Sequence, residues 1–579
     1  MTQALSLNVS IPASIEATAP HSKTSHIVIG RTGSAVAEGS ALPIDAVERD
    51  LAGGRVAVLA LGRIHEQFGS GRSSAARLLD LYLEQGPLFA ADLAGRFAIV
   101  VIDDRTDVVH LVRDHLGIVP LYCTAIDGAV RAGLDAEPLI SQPGFPRVFG
   151  PSNLVDLFNS TSRVPGTTVL PALREVAPAH VATVSGGRVT QRAYWSPPTR
   201  ADETLDEQDA IRAVREVVTR AVEREIADLP HPTGFLLSGG LDSSIIDAIA
   251  ARRAGESIRT FAFRYGSPDH ADALHLTADT PFAREVAHHL GATHTEFVFE
   301  PGVDHIALLA RAVAARGIPG PGDLDSGLIR LLDGLVSAGS ASYTGGEGAD
   351  DIFGGFPWSA PDVGGVANFP WLIGTSAGAL IAPALQRDWS FDAELRARWR
   401  QALTDHGGDP DDHPDADSAI VSAVGITRFL PFLVDRAERL SRAAGIHAAL
   451  PFLDPRVVEV GLSLPRRIRR TGDIEKGALR AAFDDLLPAS VIARRKSGFA
   501  IDVDPAYTTA VRGYLRDRLA AGDSILTDIV DLDQLRTILD SEQWNDGRFA
   551  APPLLPRLVQ LDLWARQYDL RFVQHEVVR

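Results

Sequence analysis

"GFLLSGGLDSSIIDAIAARRA", Gly234–Ala254, joins an apolar run to a burst of small polar residues and then to an amphipathic stretch. Strand, Gly/Ser loop and helix in that order make the geometry of a phosphate site. Gly239 and Gly240 let the backbone come close to an anion, and the N–H groups of the helix start point at it. Ser238, Ser243 and Ser244 add hydroxyl donors. Asp242 repels phosphate unless a magnesium ion lies between them. The plainer alternative is a Ser/Gly-rich turn that caps a helix. No Gly-Lys-Ser/Thr follows, so this is not the loop of kinases and GTPases.

Around this stretch, strands and helices alternate. "LDEQDAIRAVREVVTRAVEREIADL" (Leu205–Leu229) carries apolar residues at helical spacing. Strand "IRTFAFRY", helix "TPFAREVAHHLG", strand "THTEFVF" and strand "ASYTGG" follow. That order predicts a parallel, doubly wound sheet with its binding site at the carboxyl ends of the strands. The first half is β-rich instead: "RVAVLALGR", "RFAIVVIDD", "VVHLVRD" and "HVATVSGGRV" are short β-branched runs, with one helix over 73–86. "SPPTRADET" (Ser196–Thr204) reads as a linker, and the last 150 or so residues read as mostly helical.

With 579 residues the chain holds two or three domains. Its formal charge of −18 argues against a nucleic-acid binder, and "RRIRR" (Arg466–Arg470) reads as a solvated basic face. Cys123 is the only cysteine, so no internal disulfide forms and a reducing cytoplasm is expected. Residues 1–24 read as a flexible tail. The uncharged stretch Val363–Gln386 contains Pro370 and Pro383, which argues for a buried loop or pocket wall and against a membrane span. Residues 359–430 read as an irregular insertion, and its "HGGDPDDHPDADS" as a mobile acidic loop rather than a calcium site.

Four further motifs, in order, narrow the reading. "TGGEGADDIFGG" (Thr344–Gly355), "LPFLDPRVVEVGLSLP" (Leu450–Pro465) and "GDIEKGALRAAFDDLLPASVIARRKSGF" (Gly472–Phe499) resemble signatures of asparagine synthetases, as does "SGGLDSS". "LAGRFAIVVIDDRTDVVHLVRDHLGIVPLYC" is similar to the core of their glutaminase domain. The resemblance, spanning about 60 to 570, implies a mixed α/β and α+β fold. A degenerate glutamine amidotransferase-like domain of Ntn-hydrolase type, a β-rich sandwich, would occupy 25–195. A doubly wound ATP-pyrophosphatase domain with a helical carboxyl terminus would occupy 205–575.

The resemblance also implies roles. Asp242 and Asp350 would hold Mg²⁺ against the triphosphate of ATP, and Ser238, Gly239, Gly240, Ser243 and Ser244 would cradle the leaving pyrophosphate. Leu236, Phe263, Gly345 and Gly346 would line the adenosine. Lys476 would stabilise charge at the carboxylate–phosphate centre. Glu347 would face the acyl-adenylate and the incoming nitrogen, and Glu438 stands where the family has Asp. Arg495 and Lys496 are left between a phosphate contact and a basic helix end.

The pattern breaks at the amino terminus. Glutamine-using members expose a cysteine directly after the initiator Met; here Thr2 follows Met1. Leu61 and Arg63 stand where an ammonia-handling Asn and Glu are expected. The expectation is therefore an ATP-dependent amide ligase without its own glutaminase, taking a small-molecule or peptide carboxylate and ammonia or an amine. The rivals are an intramolecular cyclase (β-lactam or lasso macrolactam) and a catalytically silent scaffold. Relatives lacking the cysteine also admit a partner protein docked on the first domain, and a homodimer.

Overall fold

The computed structural model describes residues 26–27, 44–65, 73–126, 129–227, 229–255, 257–265, 279–299, 302–320, 322, 324–359, 365–372, 377–387, 389–471, 474–497, 505–541 and 554–575. The tail read over 1–24 lies outside the described residues.

The amino-terminal part is a six-stranded antiparallel sheet facing a four-stranded one. The larger runs Arg188–Ala193, His180–Ser185, Val108–Arg113, Gly95–Asp103, Gly54–Ile64, Ile44–Leu51. Its central strand Gly95–Asp103 shows why a run of β-branched residues lies flat and buried on both sides. Ala98, Val100 and Ile102 pack with Cys123 and Ala132 of the second sheet and with Leu121 just before it. Phe97, Ile99 and Val101 pack with Leu78 and Leu79 of the helix Ser74–Gln85. Successive side chains alternate between the two cores with the period of a strand. Gly186 and Gly187, at φ +55° and +78°, close the hairpin between His180–Ser185 and Arg188–Ala193.

The second half holds a five-stranded sheet in the order Thr293–Phe299, Arg259–Tyr265, Thr233–Leu236, Ser342–Thr344, His447–Ala449, every pair parallel. From Thr233–Leu236 the chain winds outward through the helices Leu241–Ala254 and Thr280–His289. It then returns through His305–Arg316 and Asp325–Ser337 to the opposite side. The strand order reverses between Thr233–Leu236 and Ser342–Thr344, and the crevice outside such a reversal is where ligands bind.

Two readings of the sequence are corrected. The described residues of 359–430 are not irregular throughout: they include the helix Phe391–Asp405, capped by Ser390, and the helix Ala419–Val424. Phe369, Trp371, Leu380 and Ile381 from its uncharged part are buried in one core with Phe149 and Phe158 of the amino-terminal half and Trp564 of the carboxyl-terminal helix. The run "RRIRR" is a solvated face only in part: Arg466 and Arg467 are exposed. Arg469 is buried and donates to the Asp417 carbonyl and the Ser422 hydroxyl, while Arg466 pairs with Asp417 at 2.7 Å. Among the described residues no helix is long and apolar enough to cross a membrane.

Candidate active site

The loop after Thr233–Leu236 turns on Gly239, whose φ of +70° and close approach to Ala283 and Phe282 leave no room for a Cβ. The helix begins at Leu241 with Gly240 as its cap, and no side chain satisfies the N–H groups of its first turn. Those donors are open to an anion. Ser238 and Ser243 face each other across the loop, hydroxyl to hydroxyl at 3.1 Å, and the Gly240 N–H donates to Ser238 Oγ at 3.2 Å. Ser244 does otherwise: its buried hydroxyl donates to the Gly240 carbonyl at 2.7 Å, bracing the first turn.

The second loop comes from across the strand reversal. Gly346 lies so close to the first loop that a Cβ there would sit 2.9 Å from Cβ of Asp242. Gly345 is buried beneath Glu347 and Leu450, and its N–H donates to the Ala449 carbonyl at 2.9 Å. Leu236 and Phe263 stand half-buried at the carboxyl ends of neighbouring strands, Phe263 stacked on Phe299 with ring centres 5.1 Å apart.

Both loops converge on Lys476. Its ammonium lies 2.7 Å from both oxygens of Asp242 and 2.6 Å from Oδ1 of Asp350. The lysine is almost fully buried and caps the short helix Gly477–Ala482 in the left-handed region, at φ +60°. Residues other than Gly seldom take that conformation. Gly355 packs against Cε of Lys476 and the Asp350 carboxylate with no space for a Cβ.

Lys496, undecided in the sequence, belongs here: its ammonium meets Asp350 Oδ2 at 2.7 Å. Glu475 fixes it there, accepting from the Lys496 N–H at 2.8 Å and from Arg480 at 2.6 Å. Arg494 reaches the other way, toward the Ser238 carbonyl at 3.4 Å and Asp279 at 2.5 Å, whereas Arg495 is exposed. The alternation in "RRKS" was the available signal, since an extended segment sends neighbours to opposite sides.

The electrostatics follow from this arrangement. Burial tends to raise the Asp350 carboxyl, but Lys476 and Lys496 outweigh it and hold it below the usual carboxylate range. Asp242 is raised, by burial first and by the charge of Asp350, against the pull of Lys476. Asp242 and Asp350 converge on one cation, the Lys476 ammonium, and a pair of carboxylates so placed suits a hard divalent ion.

Glu347 and Glu438 stand around the buried Tyr343. Glu347 Oε2 is buried without a hydrogen-bond partner, and burial raises the carboxyl, helped by the charge of Asp242 and opposed by Arg436. Glu438, on the helix Leu430–Ala444, is raised by burial against the charges of Arg442, Arg96 and Arg439. Both act on the buried Tyr343 hydroxyl, which is held at 2.8 Å from the Ser441 hydroxyl. Carboxyl groups raised in this way are suited to accept a proton. Cys123 lies far from such chemistry, fully buried, its thiol pushed up to about 11 by burial.

Residues 213–566 match the family model described as asparagine synthase, and residues 61–195 that of a glutamine amidotransferase domain. Asparagine synthetase [glutamine-hydrolyzing] 3 of Bacillus subtilis (strain 168) is 29% identical over 513 residues, 85% of this chain and 82% of its own. Asparagine synthetase B [glutamine-hydrolyzing] of Escherichia coli (strain K12) is 26% identical over 447 residues, 75% of this chain and 65% of its own. Carboxyethyl-arginine beta-lactam-synthase of Streptomyces clavuligerus is 28% identical over 481 residues, 79% of this chain and 76% of its own.

Proposed function

We propose, from the premise that the chain belongs to the asparagine synthase family of ATP-dependent carbon–nitrogen ligases, that it adenylates a substrate carboxylate and passes the acyl group to ammonia or an amine. The observation that carries this reading is Lys476 held between Asp242 and Asp350 at the strand reversal. Asp242 and Asp350 would hold Mg²⁺, which when bound neutralises phosphate charge. The first-turn N–H groups with Ser238 and Ser243 bind the pyrophosphate as it leaves. Lys476 stabilises the charge that grows as the carboxylate attacks the α-phosphorus. Glu347 takes a proton from the nitrogen as the acyl–oxygen bond gives way to the amide and AMP departs.

The nitrogen comes from ammonia or an amine, not from glutamine hydrolysed by this chain. Its single cysteine is a buried, protonated core residue and no nucleophile. The test is product analysis with Mg-ATP, aspartate and ammonium, beside Asp242→Ala. AMP, pyrophosphate and asparagine from the wild type alone support the reading. A folded, nucleotide-binding protein that makes no asparagine favours the second reading, an intramolecular lactam-forming cyclase. The similarity to the beta-lactam-synthase is what recommends that alternative.

A further inference from the structure

Arg96 carries the amino-terminal domain to the edge of the parallel sheet. His447–Ala449 is the edge strand of the parallel sheet, and its register with Ser342–Thr344 turns the Ala448 carbonyl outward. Arg96, on the amino-terminal strand Gly95–Asp103, donates to that carbonyl. Its guanidinium is buried and lies 3.7 Å from Glu225 of the helix Glu207–Ala227. Glu225 in turn is held at 2.8 Å by His65, again from the amino-terminal domain.

The next residue of the edge strand, Ala449, accepts the N–H of Gly345 at 2.9 Å. The Glu347 side chain folds back over Gly345. One continuous chain of contacts thus runs from Arg96 through Ala448 and Ala449 to the loop bearing Glu347. Lys476 stands outside that chain, and Asp242 touches it only where Gly346 of the loop passes. Arg96 also acts on the charge of Glu438.

We propose that Arg96 is a positioning residue for the acyl pocket: by filling the open edge of the parallel sheet, the amino-terminal domain fixes the Glu347 loop. This rests on the reading of Glu347 as facing the acyl group. It gives the domain work that needs no cysteine. A sheet edge left with an unmet carbonyl frays, and a loop hung from it loses its geometry.

Deuterium exchange on the full chain tests this, comparing peptides over 342–349 and 233–244 in wild type, Arg96→Ala, Arg96→Lys and Glu459→Ala. Glu459→Ala breaks a different contact between the halves, the 2.8 Å bond from Trp195. Loss of a charged hydrogen bond predicts about tenfold faster exchange over 342–349 in Arg96→Ala, with 233–244 unchanged. Arg96→Lys should recover most of the protection, and Glu459→Ala should match wild type. Unchanged exchange in Arg96→Ala, or equal loss in Glu459→Ala, overturns the proposal. In the aspartate and ammonium assay Arg96→Ala should release more AMP than asparagine, because a loosened pocket admits water to the adenylate. Wild type that makes no asparagine defeats the functional reading alone; the exchange result then still decides the role of Arg96.

Discussion

The ammonium of Lys476 sits 2.7 Å from both carboxylate oxygens of Asp242, a residue 234 positions earlier in the chain. The lysine is fixed there by a left-handed backbone and by Gly355 pressed against its Cε. A buried cation between two carboxylates is prearranged, so no reorganisation is needed when phosphate charge develops.

Replacing Lys476 with Met should therefore cost turnover more than nucleotide affinity. Loss of one prearranged electrostatic contact predicts a fall in kcat of about 10²- to 10³-fold. Pyrophosphate release measured against ATP concentration checks it, with KM for ATP expected to move less than about tenfold. An equal loss in affinity alone would place Lys476 among simple binding residues.

Gly355→Ala forces a methyl group into the space shared by Asp350 Oδ1 and Lys476 Cε. Overpacking of this kind costs about 1–3 kcal/mol. The strain falls on two side chains of the site, so kcat should drop at least about tenfold while the melting temperature shifts by only a few degrees. Thermal melts beside initial rates separate the two effects.

Cys123→Ala removes a sulfur from the core between the two amino-terminal sheets. Ammonium-dependent amide formation should stay within about twofold, with a stability loss of about 1 kcal/mol. Wild type given glutamine should release no glutamate. Glutamate release that Cys123→Ala abolishes would restore a glutaminase role to this chain.

Glu225 carries a pH signature. Burial alone would raise its carboxyl; the charges of Arg96 and Arg63 and the hydrogen bond and charge of His65 outweigh burial and hold it at about 2, below an ordinary value of 4.5. The stabilisation is fully present above 4.5 and disappears as the pH falls toward 2. A shift of that size corresponds to about 3 kcal/mol. Denaturant unfolding between pH 5 and 2 should show that loss in wild type and a shallower one in Glu225→Gln.

The sequence revealed the site better where residues are neighbours than where they meet through space. Strand, Gly/Ser loop and helix were legible at Gly234–Ala254 because local spacing alone sets them. Asp242, Asp350 and Lys476 were assigned through ordered motifs, and the structure brings them together. Lys496 was left open because its partner, Asp350, lies 146 positions away. Arg469 was misread for the same reason: an arginine in a basic run carries no local mark of the carbonyl 52 positions away that buries it. The helix Phe391–Asp405 was missed because its flanks are rich in Pro, Gly and Asp, and its stability comes from packing on Phe158 and its neighbours.

The order in which the ribosome delivers these parts has a consequence for the cell. Asp242 and Asp350 emerge early, yet the lysine that completes the centre arrives more than a hundred residues later. Until about four-fifths of the polypeptide has been made, the nascent chain carries its Gly/Ser loop with no completed centre around it. Truncation before Lys476 leaves Asp242 and Asp350 without the cation that they share in the full chain.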